Sequence, residues 1–365
     1  MHSLPKGIKE HLSAQYSINK RVLWIAGTYF PDLGGAEWSL MGNACLMKNN
    51  YGQLILVHKE HGNRVIDGIP VLECNLNSPS EILRFIRRFD PGVVATQGLY
   101  ARPVIEQCLN LEVHVVYFLR AKTQLDFSNY LKNEFFTVVA NSKWMTGWFK
   151  QKWGISPCLL NPVVLPWVVT KESPRKPEYI THVGDADVKG GGRVLKIAKE
   201  LSNERFLVTR SWPAFRNNEK WREDRIGQLK NGDGAKSNFE PVLADFNGAP
   251  NVRLEWPFLD PSALYRQTKI LLVASKWREP YGRVVIEGLL NGLPVIVSPE
   301  VQNDIWSDLV YHVNNPEDPK EWSSVICKVL RTGIEKYRRI AIDEFCSRFN
   351  NNDSVRVLEN EIFNI

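Results

Sequence analysis

Short apolar runs rich in Val, Ile and Leu alternate with stretches of helical period along the whole chain, a pattern that predicts α/β layers built on mostly parallel sheets. In the first half the strand pattern falls on Arg21–Ala26, Gln53–His58, Val71–Cys74, Val93–Thr96, Val113–Leu119 and Phe136–Ala140. Val113–Phe118 is almost continuously apolar, as a strand covered on both faces must be. Helical stretches lie between them at Ala36–Lys48, Pro79–Phe89, Arg102–Leu109 and Ser142–Trp153, the last with Ser142 as N-cap. A segment carrying Pro162, Pro166, Pro174 and Pro177 then breaks the pattern and marks a domain boundary. The alternation restarts with strands at Tyr179–Val183, Arg205–Thr209, Asn251–Glu255, Ile270–Ala274 and Pro294–Val297, and helices at Gly191–Leu201, Pro261–Gln267 and Gly282–Asn291. The polar stretch from Ser211 to Pro250 is expected to hold a helix around Glu219–Leu229 and a loop around Asn231–Asn238, and Pro319–Phe349 and Ser354–Phe363 read as helices. Two doubly wound, Rossmann-like domains follow, residues 1–170 and 171–345, with 346–365 a helical tail open to crossing back to the first. Their ligand crevice is expected at the carboxyl ends of the strands.

Composition narrows the class. Hydrophobic residues at 44% and charged residues at 24% of 365 exclude a disordered, collagen-like or coiled-coil chain. The longest apolar runs are strand-length, so no membrane span is predicted. Met1 to Lys20 lacks a continuous apolar stretch, and the protein is expected to be cytoplasmic. Six scattered cysteines without a C-x-x-C read as reduced thiols, and His58 with His61 is weak metal evidence. The net charge of +6 is uneven: Met1 to Thr170 carries 17 basic against 12 acidic residues, the remainder 29 against 28. That excess suits either solubility or an anionic surface beside the first domain, and no nucleic-acid partner is expected. Twelve Trp are compatible with core, sugar-stacking or interfacial roles. Trp144 and Trp148, spaced i, i+4 among Lys143, Lys150 and Lys152, fit an apolar stripe with solvated lysines or an interfacial face, so peripheral contact with the inner membrane surface stays open.

The strongest chemical signal is Glu279-Pro280-Tyr281-Gly282-Arg283-Val284-Val285-Ile286-Glu287, followed by Gly292-Leu293-Pro294-Val295-Ile296. A carboxylate in a strand-to-helix turn can accept hydrogen bonds from sugar hydroxyls. The amides of Gly282 and Arg283 open a helix, where a phosphate is favoured. Glu287, about a turn further along, can take a ribose diol. The segment resembles the E-x7-E signature of the retaining glycosyltransferases of family four, which have the two-domain GT-B architecture facing across a cleft. The resemblance implies that Glu279 contacts the donor sugar, Glu287 the ribose, and the Tyr281-Gly282-Arg283 backbone the diphosphate.

Weaker correspondences cover most of the chain. Gly34 and Gly35 match the family's Gly-rich turn near the donor, with Glu37 available to complement the helix dipole. Lys189, within Gly184-Asp185-Ala186-Asp187-Val188-Lys189-Gly190, matches the Lys that neutralises the leaving diphosphate. The family's Arg in that segment is missing, and Arg193, Arg210 and Arg283 are the candidates to supply its charge. The family's first-domain His is also missing, and Gln97 and Arg120 stand in the corresponding turns. Ser298-Pro299-Glu300 departs from the usual Gly-Gly loop, so donor identity does not carry over. Trp256 sits where the family holds the base, where it serves either stacking or packing. Asp185-Ala186-Asp187 is a D-x-D, but beside Lys189 in a GT-B frame no metal or other cofactor is expected. Gly232 to Ser237 lacks the ending and the preceding strand of a phosphate loop.

The expected function is a metal-independent retaining glycosyltransferase, moving a hexose-type unit from a nucleotide diphosphate sugar to a hydroxyl of a glycan, lipid-linked or small-molecule acceptor. Glu279, Lys189 and Arg120 are the expected catalytic groups. The absent Arg and His motivate an alternative, a catalytically silent GT-B-like nucleotide-sugar-binding module; a sugar-nucleotide epimerase of the same architecture fits the E-x7-E context less well.

Overall fold

The computed structural model describes residues 17, 20–27, 34–58, 63–165, 168, 177–210, 244–255, 261–301, 303, 306–332 and 351–363. Two units result, Met1–Val163 with Asn351–Ile365, and Val164–Asn350. The Glu219–Leu229 helix, the Asn231–Asn238 loop and Trp256 lie outside the described residues.

The first unit is an eight-stranded sheet in the order β3-β4-β2-β1-β5-β6-β7-β8. Its strands are β1 (Arg21–Ala26), β2 (Gly52–His58), β3 (Arg64–Ile66), β4 (Ile69–Cys74), β5 (Val93–Gln97), β6 (His114–Leu119), β7 (Phe136–Ala140) and β8 (Cys158–Leu159). All neighbours are parallel except β3 and β4, a hairpin whose turn is Asp67-Gly68, both at positive φ. An Asp-Gly pair between apolar residues is the two-residue hairpin signal, and it accounts for a hairpin absent from the expected strands. Helices α1 (Gly35–Met47), α2 (Pro79–Phe89), α3 (Ala101–Asn110) and α4 (Lys143–Trp153) accompany the sheet. Ser142 caps α4 as expected, accepting from Met145 N at 3.2 Å. Strands β1, β2 and β5 are buried almost throughout, consistent with parallel strands covered on both faces. A late helix, α9 (Asn351–Val357), continues into a π-helical turn, Leu358–Phe363. Phe363 from that turn packs edge-on against Trp24 of β1, ring centroids 6.0 Å apart.

The second unit is a six-stranded, wholly parallel sheet in the order β11-β10-β9-β12-β13-β14. Its strands are β9 (Tyr179–Val183), β10 (Phe206–Thr209), β11 (Val252–Glu255), β12 (Thr268–Val273), β13 (Val295–Val297) and β14 (Tyr311–His312). Helices α5 (Gly191–Glu200), α6 (Pro261–Gln267), α7 (Arg283–Leu290) and α8 (Pro319–Thr332) complete it. Strands are added outward from β9 in one direction and from β12 in the other, so the winding reverses between those two. Both units are Rossmann-like, and in each the reversal point is where loops leave the carboxyl edge side by side. Among the described residues, no helix is long and apolar enough to cross a membrane.

His182 in β9 is fully buried and its Nδ1 lies 3.0 Å from the carbonyl oxygen of Leu272. A carbonyl only accepts, so Nδ1 carries the proton. Burial holds the imidazole pKa below its ordinary 6.5. The unfolded chain therefore takes up a proton below pH 6.5 that the folded state refuses. His182 is neutral in its effect above that pH and lowers stability increasingly beneath it. Thermal melts from about pH 7.5 to about pH 5.5 should fall less steeply for His182→Gln than for the parent chain.

Candidate functional site

The second unit gathers its chemistry where β9 and β12 end. After β9 the chain makes a tight turn through Asp187–Lys189, and Gly190 at φ +95° admits it to α5. A Cβ on Gly190 would stand 2.0 Å from Ala274 O, and one on Gly191 2.2 Å from Asp185 O. Only glycine lets this turn press against the end of β12. The loop after β12 is stitched to it: Lys276 N donates to Val188 O at 3.0 Å, and Lys276 Nζ pairs with both oxygens of Asp187 at 2.8 and 2.9 Å.

Across that seam Lys189 Nζ meets Glu279 Oε1 at 2.6 Å. The Ser275 hydroxyl donates to the same oxygen at 3.2 Å, and the ammonium also lies over the half-exposed Trp277 ring, 5.3 Å from its centroid. Glu279 is mostly covered while Lys189 keeps substantial contact with solvent. Gly282, at φ +71°, caps α7 without a side chain and leads its opening amides. A Cβ there would lie 2.8 Å from the Trp306 ring, and Tyr281 is buried beside it.

Glu287 sits on the inner side of α7. Its Oε1 accepts from Arg283 Nε at 2.7 Å and its Oε2 from the Tyr265 hydroxyl at 2.5 Å. Burial, then the neighbouring Glu287 charge, push the Tyr265 hydroxyl well above its ordinary pKa, so it stays a donor. Arg283 is thus engaged with Glu287, and both side chains are nearly buried. Arg193, another candidate for the missing phosphate cation, is more deeply committed. Its guanidinium binds Glu300, Glu317 and two backbone carbonyls, and its side chain is 5% exposed. Arg210 follows β10, its amide bonded to Glu255 O. Asp185 is buried, and among the described residues no three His, Cys, Asp or Glu side chains are grouped to hold a metal ion.

In the first unit the turn ahead of α1 carries Gly34, whose amide donates to Glu37 Oε2 at 3.0 Å. Glu37 therefore reaches back to cap its own helix. A Cβ on Gly35 would meet nothing within 4 Å. Adjacent strands β5 and β6 bring Gln97 and Arg120 together, Arg120 Nε donating to Gln97 Oε1 at 3.1 Å. The Arg120 guanidinium lies over Phe118, 4.7 Å from the ring centroid. His58 ends β2 with its ring stacked on Tyr100 at 4.9 Å and 17°. In α4, Trp144, Trp148 and Trp153 pack partly buried against the core. Lys122 lies over Trp144 and Trp148, and Lys152 over Trp148 and Trp153.

No protein-family model matches this chain, and no curated protein matches it in sequence. Solved structures do match over nearly its full length, and they define the class: two parallel-sheet Rossmann-like domains of the GT-B glycosyltransferase fold. A glycosyltransferase from Rickettsia africae superposes with a TM-score of 0.68 at 15% identity, over 94% of this chain and 98% of that one. HepE from Anabaena, solved with UDP and glucose, gives 0.68 at 14%, over 95% and 100%. Sucrose-phosphate synthase from Thermosynechococcus elongatus gives 0.67 at 12%, over 93% and 97%.

The glycine geometry predicts a contrast. Gly190→Ala forces both a left-handed backbone and a backbone clash, and should cost about 1–3 kcal/mol or more of stability. Gly35→Ala, at the open first position of α1, should melt within about 0.5 kcal/mol of the parent. Chemical denaturation of the two variants measures the difference.

Proposed function

We propose that this protein is a retaining glycosyltransferase that needs no metal and transfers a hexose-type unit from a nucleotide diphosphate sugar. The observation that carries the reading is the Lys189–Glu279 pair at the reversal point of the second sheet. A cation for phosphate and a carboxylate for sugar hydroxyls stand there side by side, next to a glycine-capped helix that offers its first amides. On donor binding, Lys189 exchanges Glu279 for the diphosphate, and Glu279 turns to the sugar. The amides opening α7 share the phosphate charge, and Glu287, held by Arg283 and Tyr265, presents its remaining lone pairs to the ribose. Gln97 and Arg120 serve the acceptor side, with Gly34 and Gly35 giving the backbone close approach. In the reaction the bond from the anomeric carbon to the diphosphate breaks and the acceptor oxygen bonds to that carbon on the same face. The acceptor proton passes to the leaving phosphate oxygen. The protein's contribution is charge neutralisation and orientation.

The occurrence of UDP and glucose in the HepE structure supports a nucleotide-sugar donor, and makes UDP-glucose the first to try. The α4 lysines and indoles support peripheral contact with an anionic membrane face, which would suit a lipid-linked acceptor. A second reading, a nucleotide-sugar-binding module without catalysis, draws on Asp185 in place of a phosphate-binding Arg and on the engagement of Arg193 and Arg283 with carboxylates.

Lys189→Ala and Glu279→Ala should each lower turnover by about 10²–10³-fold or more. Their melting temperatures should change little, because an ion pair whose cation keeps substantial contact with solvent contributes about 1 kcal/mol or less. Full activity in both variants overturns the assignment. A panel of UDP-, ADP- and GDP-sugars should raise the melting temperature selectively, by about 2.7 kcal/mol of apparent stability at a hundredfold excess over Kd. Stabilisation with no release of nucleoside diphosphate, with or without acceptors, favours the silent module.

A further inference from the structure

Arg193 lies one turn into α5, directly after the loop that carries Lys189. Its side chain is 5% exposed, so each of its donors must find a partner within the protein. Nη1 donates to Ser275 O at 2.8 Å and Ala274 O at 3.2 Å, where β12 gives way to the Glu279 loop. Nη2 donates to Glu300 Oε1 at 2.8 Å and Nη1 reaches Glu300 Oε2 at 3.3 Å, while Nε donates to Glu317 at 2.8 Å. Burial alone would raise the Glu300 carboxyl, but its bonds to Arg193 and the backbone hold it below its ordinary pKa, so the carboxylate is charged. The planar fork thus ties four segments together: the start of α5, the end of β12, the loop after β13 and the turn before α8.

Ser275 is the far end of this clamp. Its carbonyl accepts from Arg193 and from Ser298 Oγ at 2.7 Å, which fixes its backbone. Its hydroxyl then donates to Glu279 Oε1, the oxygen that also takes Lys189. A continuous chain of hydrogen bonds therefore runs from Glu300 through Arg193 and Ser275 to Glu279. Glu300 stands in the loop where the sequence departs from the Gly-Gly pattern of the family it resembles.

We infer that Arg193 is a positioning residue: with Glu300 it holds Ser275, and through Ser275 the rotamer of Glu279, in the orientation that receives the donor sugar. This rests on the reading of Glu279 as the sugar-binding carboxylate. The clamp acts on the sugar and not on the diphosphate, which separates it from general support of the fold. Lysine cannot replace it, because a single ammonium lacks the fork that joins a carboxylate to two carbonyls.

The test measures binding of UDP, ADP and GDP and of a panel of their glucose, galactose, mannose and N-acetylglucosamine conjugates to the full chain by titration calorimetry, for the parent, Arg193→Lys, Glu300→Gln and Ser275→Ala. For whichever base the parent binds, each variant should keep its diphosphate affinity within about twofold and lose roughly tenfold or more of the extra affinity conferred by the sugar, the scale of one charge-assisted hydrogen bond. With an acceptor, kcat should fall while inhibition by the free diphosphate is unchanged. Equal losses for diphosphate and conjugate, or unaltered sugar discrimination in the variants, overturn the clamp and leave Arg193 a scaffold residue. If Arg193→Lys does not fold, Ser275→Ala decides, since it removes one hydroxyl and no charge. A parent chain that binds diphosphates but gains nothing from glucose or any other sugar in the panel overturns the reading of Glu279 itself, and the clamp's role with it. A parent that binds no nucleotide overturns the donor reading as a whole.

Discussion

The side-by-side placement of β9 and β12 is the constraint from which the candidate site follows. Both are parallel strands that run to the same edge, and the winding reverses between them, so their two outgoing loops share one seam. The seam is closed at the level of backbone: Gly190 rests on Ala274, and the Lys276 amide binds Val188 O. Once those contacts exist, Lys189 and Glu279 are brought to 2.6 Å although 90 residues separate them. Side chains alone could not hold such a pair in register, because an ion pair open to solvent is worth little beside the entropy of two long side chains. The order is supplied by the sheet, and the charges inherit it.

Among the described residues Trp serves mainly packing. Trp24, Trp306 and Trp322 are fully buried, and two of them have their indole N–H satisfied: Trp24 donates to Gln53 Oε1 at 2.7 Å and Trp322 to Pro316 O at 3.0 Å. Trp24 also stacks near Phe118 and meets Phe363 from the last turn of the chain. The first unit thus uses an indole at its centre to receive residues more than three hundred positions later. Trp306 does comparable work in the second unit, filling the space that a side chain at position 282 would need. The α4 indoles are different. They are partly buried, and lysine ammonium groups cover their faces, which lets an aromatic ridge remain compatible with water.

The periodic pattern reveals the parallel strands well because strands covered on both faces are continuous apolar runs, and β1, β6, β7 and β9 fall where that pattern lies. It misses β3, β8 and β14, which are two or three residues long and carry too few positions to show a period. At the site, the Glu279 to Glu287 segment is legible because its spacing is local, and the glycines around Lys189 announce a close backbone approach. The fate of Arg193 is not legible. Its partners Glu300 and Glu317 lie 107 and 124 residues away, and an arginine just after a lysine expected to meet phosphate looks, in sequence, like a second phosphate ligand. His58 was hidden for a related reason: a histidine gains meaning only when the strand it ends is known to reach the same edge as Gln97.

The charges around the seam form a consistent economy. Arg193 and Arg283 are nearly buried; Arg283 is matched to the equally buried Glu287, and Arg193 to the partly covered Glu300 and the exposed Glu317. A buried cation without such partners would carry a heavy desolvation cost, so the guanidinium groups that stiffen the loops are for that reason poorly suited to bind and release a substrate. Lys189 is the contrasting case. It is paired through one oxygen of Glu279 and remains open to solvent, which suits the exchange of that carboxylate for a phosphate under the proposed function. Glu279, released from the ammonium, keeps the Ser275 hydroxyl and with it a fixed direction. The division between buried arginines that hold the loops and a solvent-accessible lysine gives the seam a rigid side and an exchangeable side, the combination that the proposed function requires.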